Sequence, residues 1–351
     1  MPKKKKTLPK NFEELIEAGD LSALKEVFTL CELDARGGYS KSTALSFYNV
    51  PADLVRWLVE QGADINAVDS YKKTPLHSHA MSWCGHTELM LELGADLEAL
   101  DYRGETPLFA AVSSYKPEAV RVLINHGANV NAKNGMGQTP LEKGLAYCRN
   151  NNISDMAEIA DLLLAAGVAV TPTMKDSVQN IGKEFEFHRE GFNKDSLEQT
   201  DKALQHLYEL FDVAPIGKRK MHDGVSPITV SAQTWREQHD ELWKWLIPSK
   251  GHAQTVQGEV IRITGKVLYE IRDNGGGNWD NQFRKMLSSL IRYFNLGKPL
   301  DATVIREAEE LVQHLHNGDN DIEAEILCEL AVQWVLRNPN PIPLEEPDYK
   351  R

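Results

Sequence analysis

Asp101 to Ala132 reads DYRGETPLFAAVSSYKPEAVRVLINHGANVNA, and the chain on either side repeats it. TPL stands at Thr74, Thr106 and Thr139, at nearly constant spacing. A second marker, Gly62-Ala63-Asp64, Gly94-Ala95-Asp96 and Gly127-Ala128-Asn129, keeps step with it. Thr43-Ala44-Leu45 is a weaker copy upstream of Thr74, at almost the same interval. A fixed period of about 33 residues predicts a stack of small supersecondary units, each unable to bury its apolar face alone.

The third copy carries the local chemistry most fully. Thr106 is placed to cap a helix with its hydroxyl, and Pro107 suits the first helical position, where a missing N–H costs nothing. Ala110 and Ala111 are small enough for a neighbouring helix to approach. A second helix begins at Glu118, with Val120, Leu123 and Ile124 on its apolar side. Gly127 stops it as a residue able to take positive φ. Asn129 to Gly137 then form a hairpin.

These residues resemble the ankyrin repeat family, over about residues 11–172. The other copies depart from the pattern. Gly94 follows Thr74 one position sooner than Gly127 follows Thr106, which shortens the second helix, and Gly62 follows Thr43 sooner still. The interval from Thr139 to Gly167 is the longest, with Tyr147 to Ser154 as an inserted loop. Asn11 to Asp34 reads as an irregular capping pair with Leu15, Ile16, Leu24, Val27 and Phe28 inward.

The resemblance implies protein binding without catalysis on the stack, through the hairpin tips and the exposed side of each first helix. The tips place Tyr39, Tyr71, Tyr102 with Arg103, and Met136 there. The helix positions add Met81, Trp83, Ser113, Ser114, Tyr115 and Tyr147. Solvent-facing aromatics combine large contact area with low side-chain entropy and suit a partner-binding face. Packing of the rings on neighbouring tips is the other reading. From Asn11 to Val170 there are 22 acidic and 12 basic residues. An acidic stack attracts a basic partner; a well-solvated surface accounts for the same charge.

Composition bounds the rest. The chain has 351 residues and a net charge of −12, which argues against nucleic acid as a partner. No apolar run approaches about 18 residues, so no membrane span is expected. MPKKKKTLPK is followed by NFEELIEAG rather than an apolar stretch, so it is not a secretory signal. Residues 1–10 read as a disordered basic tail, with PKKKK as a nuclear import signal the alternative. Cys31, Cys84, Cys148 and Cys328 lie far apart and suit free thiols in a reducing cytoplasm.

After Pro172 the repeat ends, and residues 173–351 read as a domain of five or six helices with no strand pair. The expected class is therefore all-α, an ankyrin solenoid followed by an irregular helical domain. Capping signals stand at Ser196 with Gln199, at Ser231, at Asp301, and at Asn320 with Glu323. Val256, Val260, Ile263, Val267 and Ile271 form an apolar stripe, and Phe283, Met286, Leu287, Leu290, Ile291 and Phe294 another. Gly258 and Gly265 would let a helix pack closely. Gly217 to Pro227 reads as a mobile loop.

No catalytic, cofactor or metal site emerges. DNGGGNWD (Asp273 to Asp280) runs from helix to helix and reads as a stop followed by an Asn278 or Asp280 cap, not a phosphate cradle. Thr255 to Asp280 is similar to uncharacterised bacterial proteins, and that similarity implies no activity. Glu259, Arg262, Lys266 and Glu270 share a helix face, expected to be solvated; a carboxylate pair with Asp280 is the chemical alternative. His77 and His79, like His314 and His316, are separated by a single position and cannot chelate one ion from a helix. The favoured role is a bacterial immunity-type inhibitor that captures a toxic effector. A general scaffold or adaptor, and an enzyme with its site in the helical half, are the alternatives.

Overall fold

The computed structural model describes residues 3–315, Gly318 and 320–351. Pro2 of the basic run and His316 of the second histidine pair lie outside the described residues. The chain divides into two compact units: Met1–Phe185 with Asn193–Ile216, and Glu186–Phe192 with Gly217–Arg351. It is all-α apart from one small sheet, and no described helix is long and apolar enough to cross a membrane.

The first unit opens with β1 (Lys5–Thr7), α1 (Phe12–Ala18), α2 (Leu21–Leu30), β2 (Cys31–Gly37) and β3 (Ser42–Thr43). The strands run in the order β1-β2-β3, with β1 parallel and β3 antiparallel to β2. The basic run is therefore not a disordered tail. Its backbone pairs with β2 while its lysines stay exposed. Leu8 is buried where Gly37 leaves room, and Lys4 Nζ donates to the Phe28 carbonyl at 2.6 Å.

Paired helices follow. A 3-10 turn at Ala44–Ser46 precedes α3 (Ala52–Glu60). Then come α4 (Pro75–Ala80) with α5 (Thr87–Glu92), α6 (Pro107–Ser113) with α7 (Pro117–Asn125), and α8 (Pro140–Ala146) with α9 (Ile153–Ala165). Each second helix stops at a glycine with φ near +90°: Gly62, Gly94, Gly127 and Gly167. An L-residue at these points would be strained. The short second helix of the second repeat is α5, which has 6 residues, fewer than two turns. Thr139 caps α8 through the Glu142 amide. Thr106 has the cap backbone but makes no cap bond, and its hydroxyl is buried without a partner. The third position of that helix is the apolar Phe109, which cannot reciprocate.

Pro172 is not the boundary. α10 (Pro172–His188), up to Phe185, and α11 (Lys194–Leu210) continue the first unit. α11 packs on α9, where Ile159 and Leu163 would otherwise be uncovered; both are fully buried. His206 also meets Asp161 at 2.8 Å.

Histidines bind the second repeat to both neighbours. His79 Nε2 reaches the Leu45 carbonyl at 2.9 Å, His86 Nε2 the Val50 carbonyl at 2.8 Å, and His77 Nε2 the Glu105 carbonyl at 3.0 Å. His79 Nδ1 accepts from the His86 amide and His77 Nδ1 from the Thr74 amide, which fixes both rings as neutral Nε2–H tautomers. Burial pushes His79 down to about 4 from 6.5, and lowers His77 too. A folded value below the unfolded one means the unfolded chain takes the proton first. Stability is therefore full above pH 6.5 and is lost as pH falls from 6.5 towards 4. Urea unfolding should show about 1 kcal/mol lost through His79 between about pH 7 and 5.5. His79→Gln should flatten that part of the profile; an unchanged slope would contradict it.

The second unit contains α12 (Trp235–Leu246), α13 (Val256–Arg272), α14 (Asn281–Phe294), α15 (Ala302–His314) and α16 (Asp321–Arg337). Among the described residues seven helices follow Thr171, not five or six; they include α10, whose Met174, Val178, Ile181 and Phe185 stand at helical spacing and are all buried. Asn193 rather than Ser196 caps α11, and Thr234 rather than Ser231 caps α12 in a box with Glu237. Asn320 caps α16 through the Glu323 amide. Asp301 precedes α15 but makes no cap bond; Arg337 takes its carboxylate at 3.2 Å. The loop at Gly217 to Pro227 is pinned: Arg219 donates to the carbonyls of Lys244, Trp243 and Ile247 at the end of α12, and His222 is buried.

α13 is the central helix. It packs on α12, α14 and α16, and a Cβ at Gly265 would fall 2.4 Å from the Trp243 ring. Its charged residues are consequently not a solvated face. Glu259, Arg262 and Glu270 are buried.

Candidate functional site

Three identical turns build the hairpin tips. The Asp69 carboxylate accepts from the amides of Tyr71 (2.7 Å) and Lys73 (2.9 Å). Asp101 does the same for Arg103 (2.7 Å) and Glu105 (3.0 Å), and the Asn134 amide oxygen for Met136 and Gln138, both 3.0 Å. Such side chains mimic a backbone turn. Backbone rungs then join tip to tip: Ser70 N to Ser40 O, Tyr102 N to Tyr71 O, and Gly135 N to Arg103 O, at 2.9 to 3.0 Å.

Large side chains project from this ladder. Tyr39 is 92% exposed, Tyr71 38%, Tyr102 52% and Met136 78%. The Tyr71 and Tyr102 rings lie 5.8 Å apart, and a hydrogen bond with Tyr39 raises the Tyr71 phenol. The rings pack on neighbouring tips and still present much of their surface. Met81 and Tyr147 are exposed on the first-helix side. Trp83 is exposed as well, with Lys116 Nζ 3.7 Å over its ring.

Tyr115 does not belong to this face. Its backbone takes φ +54° after α6, and the ring is buried, with its hydroxyl donating to the Gly144 carbonyl at 3.3 Å. Burial raises its phenol. Helical spacing could not reveal this, because the helix has already ended at Ser113 and the left-handed residue redirects the side chain.

Between the third and fourth tips lies a pocket of about 570 Å³, lined by Tyr102, Arg103, Ser113, Met136 and Tyr147 and by polar residues the sequence did not single out, among them Glu105, Asn134 and Lys143. At its floor Lys143 Nζ meets both oxygens of Glu105 at 2.6 and 2.7 Å. Asn134 Nδ2 adds a bond to Glu105 at 3.2 Å. Arg103 leans on its neighbour, with Nε 2.6 Å from the Tyr102 hydroxyl and the guanidinium 5.2 Å from the ring. The only sequence hint of the floor is that Glu105 and Lys143 fall in successive repeats, at a separation that no helical period marks.

In the second unit, Glu259 and Arg262 form a buried pair, with Arg262 Nε 2.8 Å and Nη2 2.5 Å from the carboxylate. The Ala253 amide and the Tyr349 hydroxyl also donate to Glu259, at 3.0 and 2.8 Å. Burial alone would raise this carboxyl, but the Arg262 bonds outweigh it and hold it below the ordinary value. Glu270 is taken up by the glycine turn, accepting from Asn274 and Asn278. Asp280 caps α14 and pairs with Arg351. Each carboxylate has its own structural partners. Among the described residues no group of three or more His, Cys, Asp or Glu is placed to hold a metal.

The family model for ankyrin repeats (3 copies) matches residues 43–134 and 79–174. An ankyrin repeat domain from Acinetobacter baumannii AYE, solved as a crystal structure, is similar at 26% identity and a TM-score of 0.41, over 56% of this chain and 96% of its own. No curated protein matches. With the helix-pair unit recurring at the period of the matched repeats, residues 43–174 of this chain are ankyrin repeats.

Proposed function

We propose that the protein binds a protein partner one to one on the face made by its hairpin tips and first helices. The observation that carries this reading is the row Tyr71, Tyr102 and Met136, held out by three identical side-chain turns and exposed in part at Tyr71 and Tyr102 and mostly at Met136. Ankyrin repeats are protein-binding modules, and aromatic side chains on a preorganised frame bind at low entropic cost.

The finer reading is an immunity-type inhibitor that captures a toxic effector in the cytoplasm, without catalysis by this chain. The excess of 22 acidic over 12 basic residues in the stack supports a predominantly basic partner and disfavours nucleic acid. A scaffold role uses the same face.

A photo-reactive phenylalanine analogue at Tyr71 or Met136 should give one discrete protein adduct in the source cell. The same group at Arg121, exposed on α7, should give none. Adducts confined to Arg121, or equal at all three positions, would refute the assignment. With the adduct partner purified, titration should saturate at equal concentrations.

A further inference from the structure

We infer that the pocket between the third and fourth tips takes a carboxylate side chain, Asp or Glu, from a segment of the partner protein, with Arg103 as its ion-pair partner. This rests on the reading of the tip face as protein-binding.

The argument is one of charge left over. The two charges at the floor, Lys143 and Glu105, satisfy each other within 2.7 Å and are largely buried. Arg103 stands differently. Its Nε bonds the Tyr102 hydroxyl, and among the described residues no carboxylate comes within ion-pair distance of its guanidinium. A guanidinium offers five donors in a fixed fork that matches a carboxylate. Arg103 spends one of them here.

A cationic side chain finds no equivalent welcome. The Glu105 carboxylate is committed to Lys143 and Asn134. The Tyr102 ring already carries Arg103 over it. The pocket therefore has a net positive character inside an acidic unit, so a mainly basic partner is steered by the unit and placed in register by one acidic residue.

The surroundings fit a side chain borne on a protein segment. Tyr147 and Met136 give the pocket an apolar wall, and Tyr102 and Met136 also belong to the exposed row, so a segment lying along the tips crosses the pocket mouth. The volume of about 570 Å³ lies within the roughly 300–1,000 Å³ typical of ligand pockets.

The test is a selection of random displayed peptides on the full chain, on Arg103→Gln and on Arg103→Glu. Arg103 is exposed, so circular dichroism should match across the three. The natural chain should enrich peptides with Asp or Glu at one position. Changing that residue to Asn or Gln should weaken binding about ten-fold. Arg103→Gln should lose the preference, and Arg103→Glu should select Lys or Arg instead. A pool without the acidic position, one that keeps it on Arg103→Gln, or no enrichment at all would overturn the inference. If the Tyr71 and Met136 cross-links persist in that case, only the carboxylate anchor falls; if they fail, the underlying reading falls with it.

Discussion

The variant Glu259→Ala is expected to destabilise the second unit by about 3–5 kcal/mol. The change strands a buried cation. Arg262 is 1% exposed, its Nη1 already lacks a partner, and losing Glu259 removes two of its bonds. The Tyr349 hydroxyl and the Ala253 amide lose their acceptor in the same stroke, each a further penalty of about 1–3 kcal/mol if left unmade. Removing both charges tests the cause. In Glu259→Met with Arg262→Met the desolvation of the ion pair disappears, so at least half the loss should return. Urea unfolding followed by circular dichroism measures both. A single-variant loss under about 1 kcal/mol, or a double variant no better than the single, would show that water compensates the pair.

Phe109→Ala should cost the first unit about 3–5 kcal/mol. The ring is fully buried in α6, which packs on α4 and α8. In a stack held by nearest-neighbour interfaces, damage to one repeat weakens its neighbours. Hydrogen exchange should therefore quicken in α4 and α8 as well as α6, and stay unchanged in α12 to α16. Faster exchange confined to α6 would contradict that coupling.

What the sequence made legible was governed by local rules. The Thr-Pro-Leu and Gly-Ala markers set the helix starts and stops, since proline and glycine act through their own backbone dihedrals. Tyr39, Tyr71, Tyr102 and Met136 could be placed because they keep the repeat period. The remainder depended on tertiary packing. Lys5 and Lys6 of the basic run form a strand with Thr7 through their backbone, which side-chain composition does not report. α11 shows ordinary amphipathic spacing, but nothing in that spacing says its apolar side faces α9. Glu259 and Arg262 have the i, i+3 spacing of a surface pair, and only the helices around α13 make them buried. The Glu105–Lys143 floor joins two repeats through long side chains, beyond the reach of any short-range pattern.

The tip-to-tip rungs also give the stack a mechanical character. One backbone bond crosses each step, from Ser40 through Tyr71 and Arg103 to the fourth hairpin, so a pull along the stack loads these bonds in series. The steps are not equally reinforced. The last has the Glu105–Lys143 and Glu105–Asn134 links beside its rung, while the step from Tyr71 to Tyr102 has two tilted rings. A partner that clamps the third and fourth tips grips a step braced by charged side chains, while the two steps nearer the amino terminus are braced behind the tips by the histidine bonds to Glu105, Leu45 and Val50.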